Sequence, residues 1–157
     1  MNRIIIKAAT PDDCGDLFAW RNDLLTRQVS KNSGPVDWET HVAWFAAALA
    51  SPDRSIYIGY SESKKIGSIR FDRTHDSQDA LLVSIMIAPA ERGRGNGKAL
   101  LRSGIATLPD ATLKAEIATE NLASQRIFKA CGFEQILDDG GGGFLRYRRV
   151  PDAPSGP

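Results

Sequence analysis

The fold of this chain is decided by residues 85–101, which read IMIAPAERGRGNGKALL. The stretch has the pattern of an apolar strand that stops at Pro89, a basic turn with three glycines, and the start of an amphipathic helix. Backbone N–H groups at a helix N-terminus lack intrahelical partners, and the helix dipole adds partial positive charge there. Glycines let that backbone curl around an anion without a Cβ in the way. The stretch therefore predicts a pocket for a pyrophosphate group.

Three classes of ligand carry such a group, and the spacing of the glycines separates them. A Walker A loop needs Gly, four residues, then Gly-Lys-Ser/Thr, but this chain has Arg92 and Ala99 at the deciding positions. A dinucleotide loop needs G-x-G-x-x-G at the start of a βαβ unit, whereas the glycines here stand at 93, 95 and 97 and no repeated βαβ units are predicted. The third class is an acyl-coenzyme A, whose pyrophosphate would lie on the same backbone.

The composition is that of an ordinary single globular domain. The 157 residues are 42% hydrophobic and 25% charged, with a formal net charge of +1, so we expect no nucleic-acid footprint. No apolar run has the length of a signal peptide or a membrane span, and the two cysteines have no metal-ligand spacing. We therefore expect one cytoplasmic domain over residues 1–150 with a disordered tail over 151–157, and no metal, nucleic-acid or membrane partner.

Hydrophobic periodicity and cap residues predict the element order βααβββαβαββ. One continuous helix is expected from Thr10 to the region 26–29. A second helix, capped by Asp37, is expected to bury a stripe at positions 38, 42, 45 and 49, with His41 and Trp44 beside it. The other predicted elements are the strands 3–8, 55–60, 65–72, 80–87, 113–118, 134–137 and 144–150 and the helices 95–108 and 121–130. This order indicates an α+β fold with one mixed, mainly antiparallel sheet flanked by helices.

A second motif provides a family resemblance. Residues 121–133, NLASQRIFKACGF, resemble the N-x-x-S/A-x-x-L/I-Y/F-x-x-x-G-F segment of the GNAT superfamily of N-acetyltransferases. Residues 92–97, RGRGNG, are similar to the R/Q-x-x-G-x-G/A signature of that superfamily, and the predicted element order also fits it. The resemblance implies a GNAT-type fold and direct transfer of an acetyl group from acetyl-CoA to a primary amine within a ternary complex.

The resemblance also implies a set of cofactor contacts. Met86 and Ile87 would contribute backbone amides at the end of a strand that splays from its neighbour, and one such N–H would polarise the thioester oxygen. The turn that would hold the pyrophosphate consists of Arg92, Gly93, Arg94, Gly95, Asn96, Gly97 and Lys98. Asn121, Ser124 and Phe128 share one helix face that would contact the cofactor. Helix capping by Asn121 and plain packing by Ser124 are the alternatives.

Phe128 stands where the family often has a tyrosine that acts as general acid. A phenyl ring donates no proton, and losing an acid that contributes about 10²–10⁴-fold would slow the transfer without abolishing it. The candidate replacements are Ser124, a water molecule and Tyr147. For the general base the candidate carboxylates are Glu116 and Asp79, with a surface or salt-bridged role as the alternative for each.

The acceptor side is implied by two further segments, WRN at 20–22 and HVAWF at 41–45. They resemble segments of two GNAT branches, one that acetylates nucleotide-linked amino sugars and one that acetylates the N-termini of ribosomal proteins. Arg21 could pair with a phosphate or carboxylate, and Trp20 or Trp44 could stack on a sugar or base, with core packing as the alternative for both tryptophans.

We therefore expect Trp20, Arg21, His41 and Trp44 to contact a small-molecule amine, in a monomer or a homodimer. A nucleotide-linked amino sugar is favoured, since its phosphates would suit Arg21 and Arg27. An N-terminal peptide acetyltransferase and a catalytically degenerate acyl-CoA sensor are the alternatives.

Overall fold

A computed structural model describes residues 3–74, 77–136 and 142–152 of the chain, and of residues 77–79 it describes the backbone only. The strands are β1 (Ile4–Ala8), β2 (Arg54–Ser61), β3 (Lys64–Thr74), β4 (Ser77–Ile87), β5 (Thr112–Ala118), β6 (Glu134–Gln135) and β7 (Phe144–Arg149). The helices are α1 (Cys14–Asn22), α2 (Leu24–Gln28), α3 (Trp38–Ala50), α4 (Asn96–Ala106) and α5 (Leu122–Ala130). The strands form one seven-stranded sheet in the order β1-β2-β3-β4-β5-β7-β6. The predicted α+β fold with a mixed sheet is confirmed, because every described strand pair is antiparallel except β4 with β5.

The continuous helix expected from Thr10 onward is wrong, because Asp23 interrupts it. Asp23 has φ −57° and ψ 137°, which lies outside the helical region, and its side chain accepts a hydrogen bond from the amide of Thr26. A side chain that satisfies an amide at the start of a turn competes with continuation of the helix. The segment therefore folds as α1 and α2.

The buried stripe predicted for α3 is confirmed at Phe45 and Leu49 and wrong at Trp38 and Val42, because the buried face of the helix is turned toward His41 and Ala48. Trp38 and Val42 are 48% and 39% exposed, whereas His41, Phe45 and Ala48 are 3%, 2% and 2% exposed. His41 is the residue that sequence patterning misplaces, because a polar ring is expected on the solvent side. Its Nε2 lies 3.0 Å from the carbonyl oxygen of Cys14, so the buried ring has a hydrogen-bond partner.

The sheet carries a helix layer on each face. One face buries a large cluster under α4 and α5 that includes Ile69, Phe71, Val83 and Leu113. The other face buries a smaller cluster under α1 and α3, to which β2 contributes Ile56 and Ile58. Because side chains of a strand alternate between faces, the residues next to these core positions face the opposite layer.

The parallel pairing of β4 with β5 is short, and this creates the opening in which the site lies. Only the pairs Ala80↔Thr112, Leu81↔Leu113 and Leu82↔Lys114 join the two strands. Beyond them β4 continues beside β3 to Ile87, and β5 continues beside β7 to Ala118. The ends 83–87 of β4 and 115–118 of β5 therefore diverge, and we call the gap between them the wedge.

Several expectations fall at the limits of the described chain. The strand expected over 134–137 is present as β6, but residues 137–141 and the tail residues 153–157 lie outside the described residues. None of the helices in the described ranges has the length and apolar character of a membrane span. Within the same ranges, no group of His, Cys, Asp and Glu is arranged to hold a metal ion.

Candidate active site

A cleft of about 1400 Å³ opens at the wedge and extends under α1, α2 and α3. At one end it is lined by the turn at residues 92–97, which we call the glycine turn, and by the first residues of α5. At the other end it is lined by Arg21, His41, Trp44 and Arg70. One continuous cleft thus joins the predicted cofactor turn to the predicted acceptor residues.

The glycine turn has the backbone conformation of an anion cradle. Gly93 and Gly95 have φ of 76° and 78°, the left-handed region that glycine adopts without strain. A Cβ at either position would meet no atom within 4 Å, so the backbone conformation, and not crowding, calls for glycine there. Asn96 begins α4, and its side-chain amide donates to the carbonyl oxygen of Glu91 at 3.1 Å, which holds the turn against the helix start. Left-handed turns of this kind, at a helix N-terminus, suit the pyrophosphate of a coenzyme A.

The side chain of Arg92 holds the turn in place from outside. Its Nη2 donates to the Asp23 carboxylate at 2.7 Å and to Oγ1 of Thr26 at 2.8 Å. This hydrogen bond from Arg92 lowers the pKa of Asp23. Arg92 therefore ties the glycine turn to α2 and contributes its backbone, more than its guanidinium, to the anion cradle.

The open edge of β4 presents alternate backbone amides to the wedge. The amide of Ala88 donates to the carbonyl oxygen of Ile66 at 2.9 Å, which continues the β3–β4 ladder past the end of β4. In an antiparallel ladder the hydrogen-bonded pairs alternate, so the amide of Met86 faces Ser68 while the amides of Ile85 and Ile87 face the wedge. The expectation that Met86 offers its amide to the cofactor is wrong for this reason, although Met86 does line the cleft. The backbone amide of Ile87 does point into the wedge, as a contact with the cofactor requires.

Helix α5 brings the second motif against the glycine turn. A Cβ added at Gly97 would lie 2.7 Å from Cδ1 of Ile127, so α4 and α5 approach more closely here than a larger residue would permit. Asn121 accepts a hydrogen bond from the amide of Ser124 at 3.1 Å and is therefore the N-cap of α5. Phe128 lines the cleft, is 2% exposed, and packs edge-on against Phe133 with ring centroids 4.9 Å apart.

Glu116 and Tyr147, two of the candidates for proton transfer, have different surroundings. Glu116 lines the cleft and forms an ion pair with Lys31, which comes from the loop between α2 and α3. Tyr147 is opposite Ala115 in the β5–β7 ladder and lies in the core under α4 and α5, with no exposed surface. Burial raises the pKa of Tyr147, and its hydroxyl has no hydrogen-bond partner among the described residues. The alternation along β7 that buries Tyr147 removes it from the cleft, and the side chain of Asp79 lies outside the described residues.

The predicted acceptor residues are divided between the core and the cleft. Trp20 is 8% exposed and packs in the cluster under α1 and α3, outside the cleft lining, so core packing accounts for it. Arg21, His41 and Trp44 all line the cleft. Burial lowers the pKa of His41. Trp44 is 38% exposed, and the guanidinium carbons of Arg54 and Arg70 lie 5.8 and 5.7 Å from its ring centroid.

Sequence reasoning missed the polar row of β3 and β4 that forms the floor of the acceptor end. Ser68 and Arg70 lie on one face of β3, and Arg70 is directly opposite Ser84 of β4. All three residues line the cleft. The signal was the alternation of polar Ser68, Arg70 and Asp72 with apolar Ile69 and Phe71, which marks a strand with one polar face.

Comparison with known proteins reveals the family. The family model described as "Acetyltransferase (GNAT) domain" matches residues 3–134. No curated protein matches this sequence. An acetyltransferase from Thermus thermophilus is similar in structure, with a TM-score of 0.80 and 19% identity over 96% of this chain and 99% of that one.

Two similar structures were solved with ligands. AAC(6')-Ib in complex with ribostamycin and coenzyme A has a TM-score of 0.83 and 16% identity, over 95% of this chain and 94% of that chain. YncA from Salmonella typhimurium, solved with its cofactor acetyl-CoA, has a TM-score of 0.76 and 21% identity, over 99% of this chain and 98% of that chain. With the family match over residues 3–134, the chain belongs to the GNAT family of acetyltransferases and is an acetyl-CoA-dependent N-acetyltransferase.

Proposed function

We propose that this protein acetylates a primary amine of a small molecule by direct transfer in the wedge between β4 and β5. The observation that carries the proposal is the continuity of the cleft, which runs from the glycine turn past the open amide of Ile87 to the polar floor at Arg70. Acetyl-CoA supplies the acetyl thioester. Its carbonyl carbon forms a bond to the amine nitrogen, and its carbon–sulfur bond breaks to release the thiolate of coenzyme A. Both substrates can then occupy one cleft at the same time.

The amide of Ile87 is our candidate for stabilising the developing oxyanion. It is directed into the wedge, away from the β3 ladder, and a backbone donor held in a strand costs no reorganisation during the reaction. The proposal needs one donor near the reacting carbonyl, and Ile85 offers a second amide on the same edge. No side chain is required for this role, so the identity of residue 87 is of secondary importance.

Glu116 is our candidate for the general base. An amine with a pKa of about 10 must lose a proton before it attacks, and Glu116 is a carboxylate in the cleft lining. Its present partner is the Lys31 ammonium, which has the same chemistry as the ammonium of an acceptor. Lys31 is 65% exposed, so the pair is weak enough for an incoming ammonium to replace it.

No side chain is proposed as the general acid. Phe128 carries no ionisable proton, and Tyr147 lies outside the cleft lining. A thiol with a pKa of about 8.5 can depart as the thiolate at neutral pH, and solvent can protonate the thiolate afterwards. This arrangement supports a slow transferase.

For the acceptor we propose an amino sugar, with a nucleotide-linked amino sugar as the specific candidate. The support is the exposed ring of Trp44 beside the guanidinium of Arg70 in one cleft, together with the similarity to a fold that holds ribostamycin beside coenzyme A. The second candidate function is an acyl-CoA sensor, favoured by one observation, that Phe128 offers no proton to the leaving sulfur.

The test is turnover of acetyl-CoA against amino sugars, nucleotide-linked amino sugars, peptides with a free N-terminus and polyamines, read as thiol release and as acetylated product by mass spectrometry. We expect one class to exceed the rate of acetyl-CoA hydrolysis by at least about 100-fold, the scale of one positioned acid–base group. Binding of acetyl-CoA without turnover of any class would support the sensor. Absence of acetyl-CoA binding would refute both functions.

A further inference from the structure

Two arginines line the acceptor end of the cleft, close enough for the charge of one to act on the other. Arg21 comes from the last turn of α1, and Arg70 comes from the polar face of β3. Both line the same cleft, and so does Trp44, whose ring centroid lies 5.7 Å from the Arg70 guanidinium carbon. The acceptor residues predicted from sequence did not include Arg70.

One N–H group of the Arg21 guanidinium is buried without an acceptor among the described residues. Its Nη2 donates to the carbonyl oxygen of Asn32 at 2.7 Å, whereas its Nη1 is buried and has no partner among the described residues. Burial lowers the pKa of Arg21, and the two neighbouring charges that lower it further, Arg27 and Arg70, are also positive. A buried donor of a charged group without an acceptor is costly, and nearby like charges add to that cost.

Arg70 shares its carboxylate with another arginine. Its Nε donates to Asp72 at 3.0 Å, and the Nε of Arg54 donates to the same carboxylate at 2.7 Å. A guanidinium has five N–H donors, and one carboxylate cannot neutralise two of these cations. Arg21 and Arg70 line the cleft, whereas Arg54 and Asp72 lie outside its lining, so the carboxylate next to Arg70 is already shared when a ligand enters.

We propose that an anionic group of the acceptor, a phosphate or a carboxylate, binds between Arg21 and Arg70. Such a group would accept the buried Nη1 donor of Arg21 and bridge to the planar donor fork of Arg70. The inference rests on the proposed function, in that the same cleft receives the amine. It adds that the acceptor is a molecule with an amine at one end and an anion at the other, and that Arg70 helps to select it.

The anion in question is distinct from the phosphates of the cofactor. Those belong at the glycine turn, where Gly93 and Gly95 precede α4. Arg21 and Arg70 belong to α1 and β3, and Arg70 lies on the face of β3 opposite to Ile69 and Phe71, which pack in the core under α4. A ligand at the two arginines should therefore compete with the acceptor and not with acetyl-CoA.

The test uses inorganic phosphate and acetate as probes of the whole protein saturated with coenzyme A, so that the glycine turn is already filled. Binding is measured by calorimetry in the wild type and in Arg21→Gln, Arg70→Gln and Arg70→Lys. The matched control is Arg73→Gln, because Arg73 is on the same strand, is 63% exposed and pairs only loosely with Asp53 at 3.8 Å. Circular dichroism and thermal melting establish that each variant is folded.

We expect phosphate or acetate to bind the wild type and Arg73→Gln equally, and to bind Arg21→Gln and Arg70→Gln about tenfold more weakly, the scale of one charged hydrogen bond. The affinity of Arg70→Lys for the probe should lie between those of the wild type and Arg70→Gln, since lysine keeps the positive charge but lacks the planar set of N–H donors of a guanidinium. Preference for phosphate over acetate, or the reverse, identifies the acceptor's anion. Equal affinity in all four arginine variants and the wild type, or no binding of either probe, would overturn the proposal.

Kinetics separate this inference from the proposed function. With glucosamine and glucosamine 6-phosphate as a neutral and an anionic acceptor, Arg70→Gln should raise KM for the phosphorylated sugar and leave KM for acetyl-CoA unchanged. Equal effects on both sugars would refute the anion site while acetyl transfer itself stands. If neither sugar is acetylated, the calorimetric comparison still decides whether the anion site exists.

Discussion

Arg92 donates a hydrogen bond to the carboxylate of Asp23 at 2.7 Å, and this contact joins the glycine turn to the N-cap of α2 across 69 residues of chain. The pair is partly exposed, with 31% and 25% of the two side chains accessible. Asp23 therefore has two roles at once, since it caps α2 through Thr26 and holds the turn through Arg92. A substitution of Arg92 or Asp23 should therefore alter the position of the glycine turn at the cofactor end of the cleft.

Replacing Arg92 by alanine should weaken acetyl-CoA binding several-fold and lower the free energy of unfolding by about 0.2–1 kcal/mol, the range of partly exposed ion pairs. A double-mutant cycle with Asp23→Ala, measured by urea unfolding, isolates this pair from the loss of the cap. Additive effects of the two substitutions would show that the contact contributes nothing.

The Arg92–Asp23 pair also predicts that the free energy of unfolding depends on pH. Because Arg92 lowers the pKa of Asp23, the unfolded state binds more protons, and the stabilisation is present above the unfolded pKa of about 3.9 and lost as pH falls through the lower folded value. Unfolding curves of wild type and Arg92→Ala should therefore converge as pH falls from 5 to 2.5. A difference that is independent of pH would contradict the assignment of the shift to Arg92.

A charge placed in the glycine turn should abolish cofactor binding without unfolding the protein. Gly95→Asp puts a carboxylate where the pyrophosphate is expected, and asparagine tolerates the left-handed conformation of Gly95 about as well as aspartate does. Gly95→Asn is therefore the matched control. We expect acetyl-CoA affinity, measured by calorimetry, to fall more than about tenfold further in the aspartate variant than in the asparagine variant. Equal affinities would refute the placement of the pyrophosphate.

Glu116→Gln should lower kcat/KM about 10²–10⁴-fold and leave the affinity for acetyl-CoA unchanged, if Glu116 is the general base. Glu134→Gln on β6 is the control, since that residue is exposed and lies outside the cleft lining. A loss smaller than threefold would assign the carboxylate a purely electrostatic role with Lys31.

Phe128→Tyr should raise kcat at pH values below the pKa of the leaving thiol, since the ring lines the cleft and a hydroxyl there can protonate the sulfur. The increase should vanish as pH rises through the pKa of the introduced phenol, about 10, because the ionised ring has no proton to donate. Phe128→Leu keeps an apolar side chain without a donor and controls for packing. A kcat of the tyrosine variant that is no higher than the wild type would mean that protonation of the sulfur is not limiting.

The parts of the fold that depend on local backbone chemistry were predictable. The left-handed glycines at 93 and 95 and the N-cap Asn121 impose their conformations through the backbone alone, so the sequence pattern predicted the turn and α5. His41 is different, because its burial depends on a hydrogen bond to the distant Cys14 carbonyl. The amide direction of Ile87 depends on strand register, which pairs residues far apart in sequence and has no local signature.

The acceptor end of the cleft also depends on contacts that local sequence patterns do not reveal. Arg21 was found through a motif, but Arg70 becomes its neighbour only in the folded chain, where both line one cleft. Periodicity can report that a strand has one polar face, whereas the element that covers that face is decided by tertiary packing. Specificity is therefore the least predictable part of this site.

The alternation of amides along β4 has a consequence for measurement by hydrogen–deuterium exchange. The amides of Ile85 and Ile87 face the wedge, while that of the intervening residue, Met86, is engaged by β3. In the free protein the two odd-numbered amides should exchange quickly, and the even-numbered amide should exchange at the slow rate of the sheet. Occupation of the wedge should slow only the odd-numbered pair. Neighbouring residues of one strand thus provide separate reporters, one for ligand and one for fold, in a single spectrum.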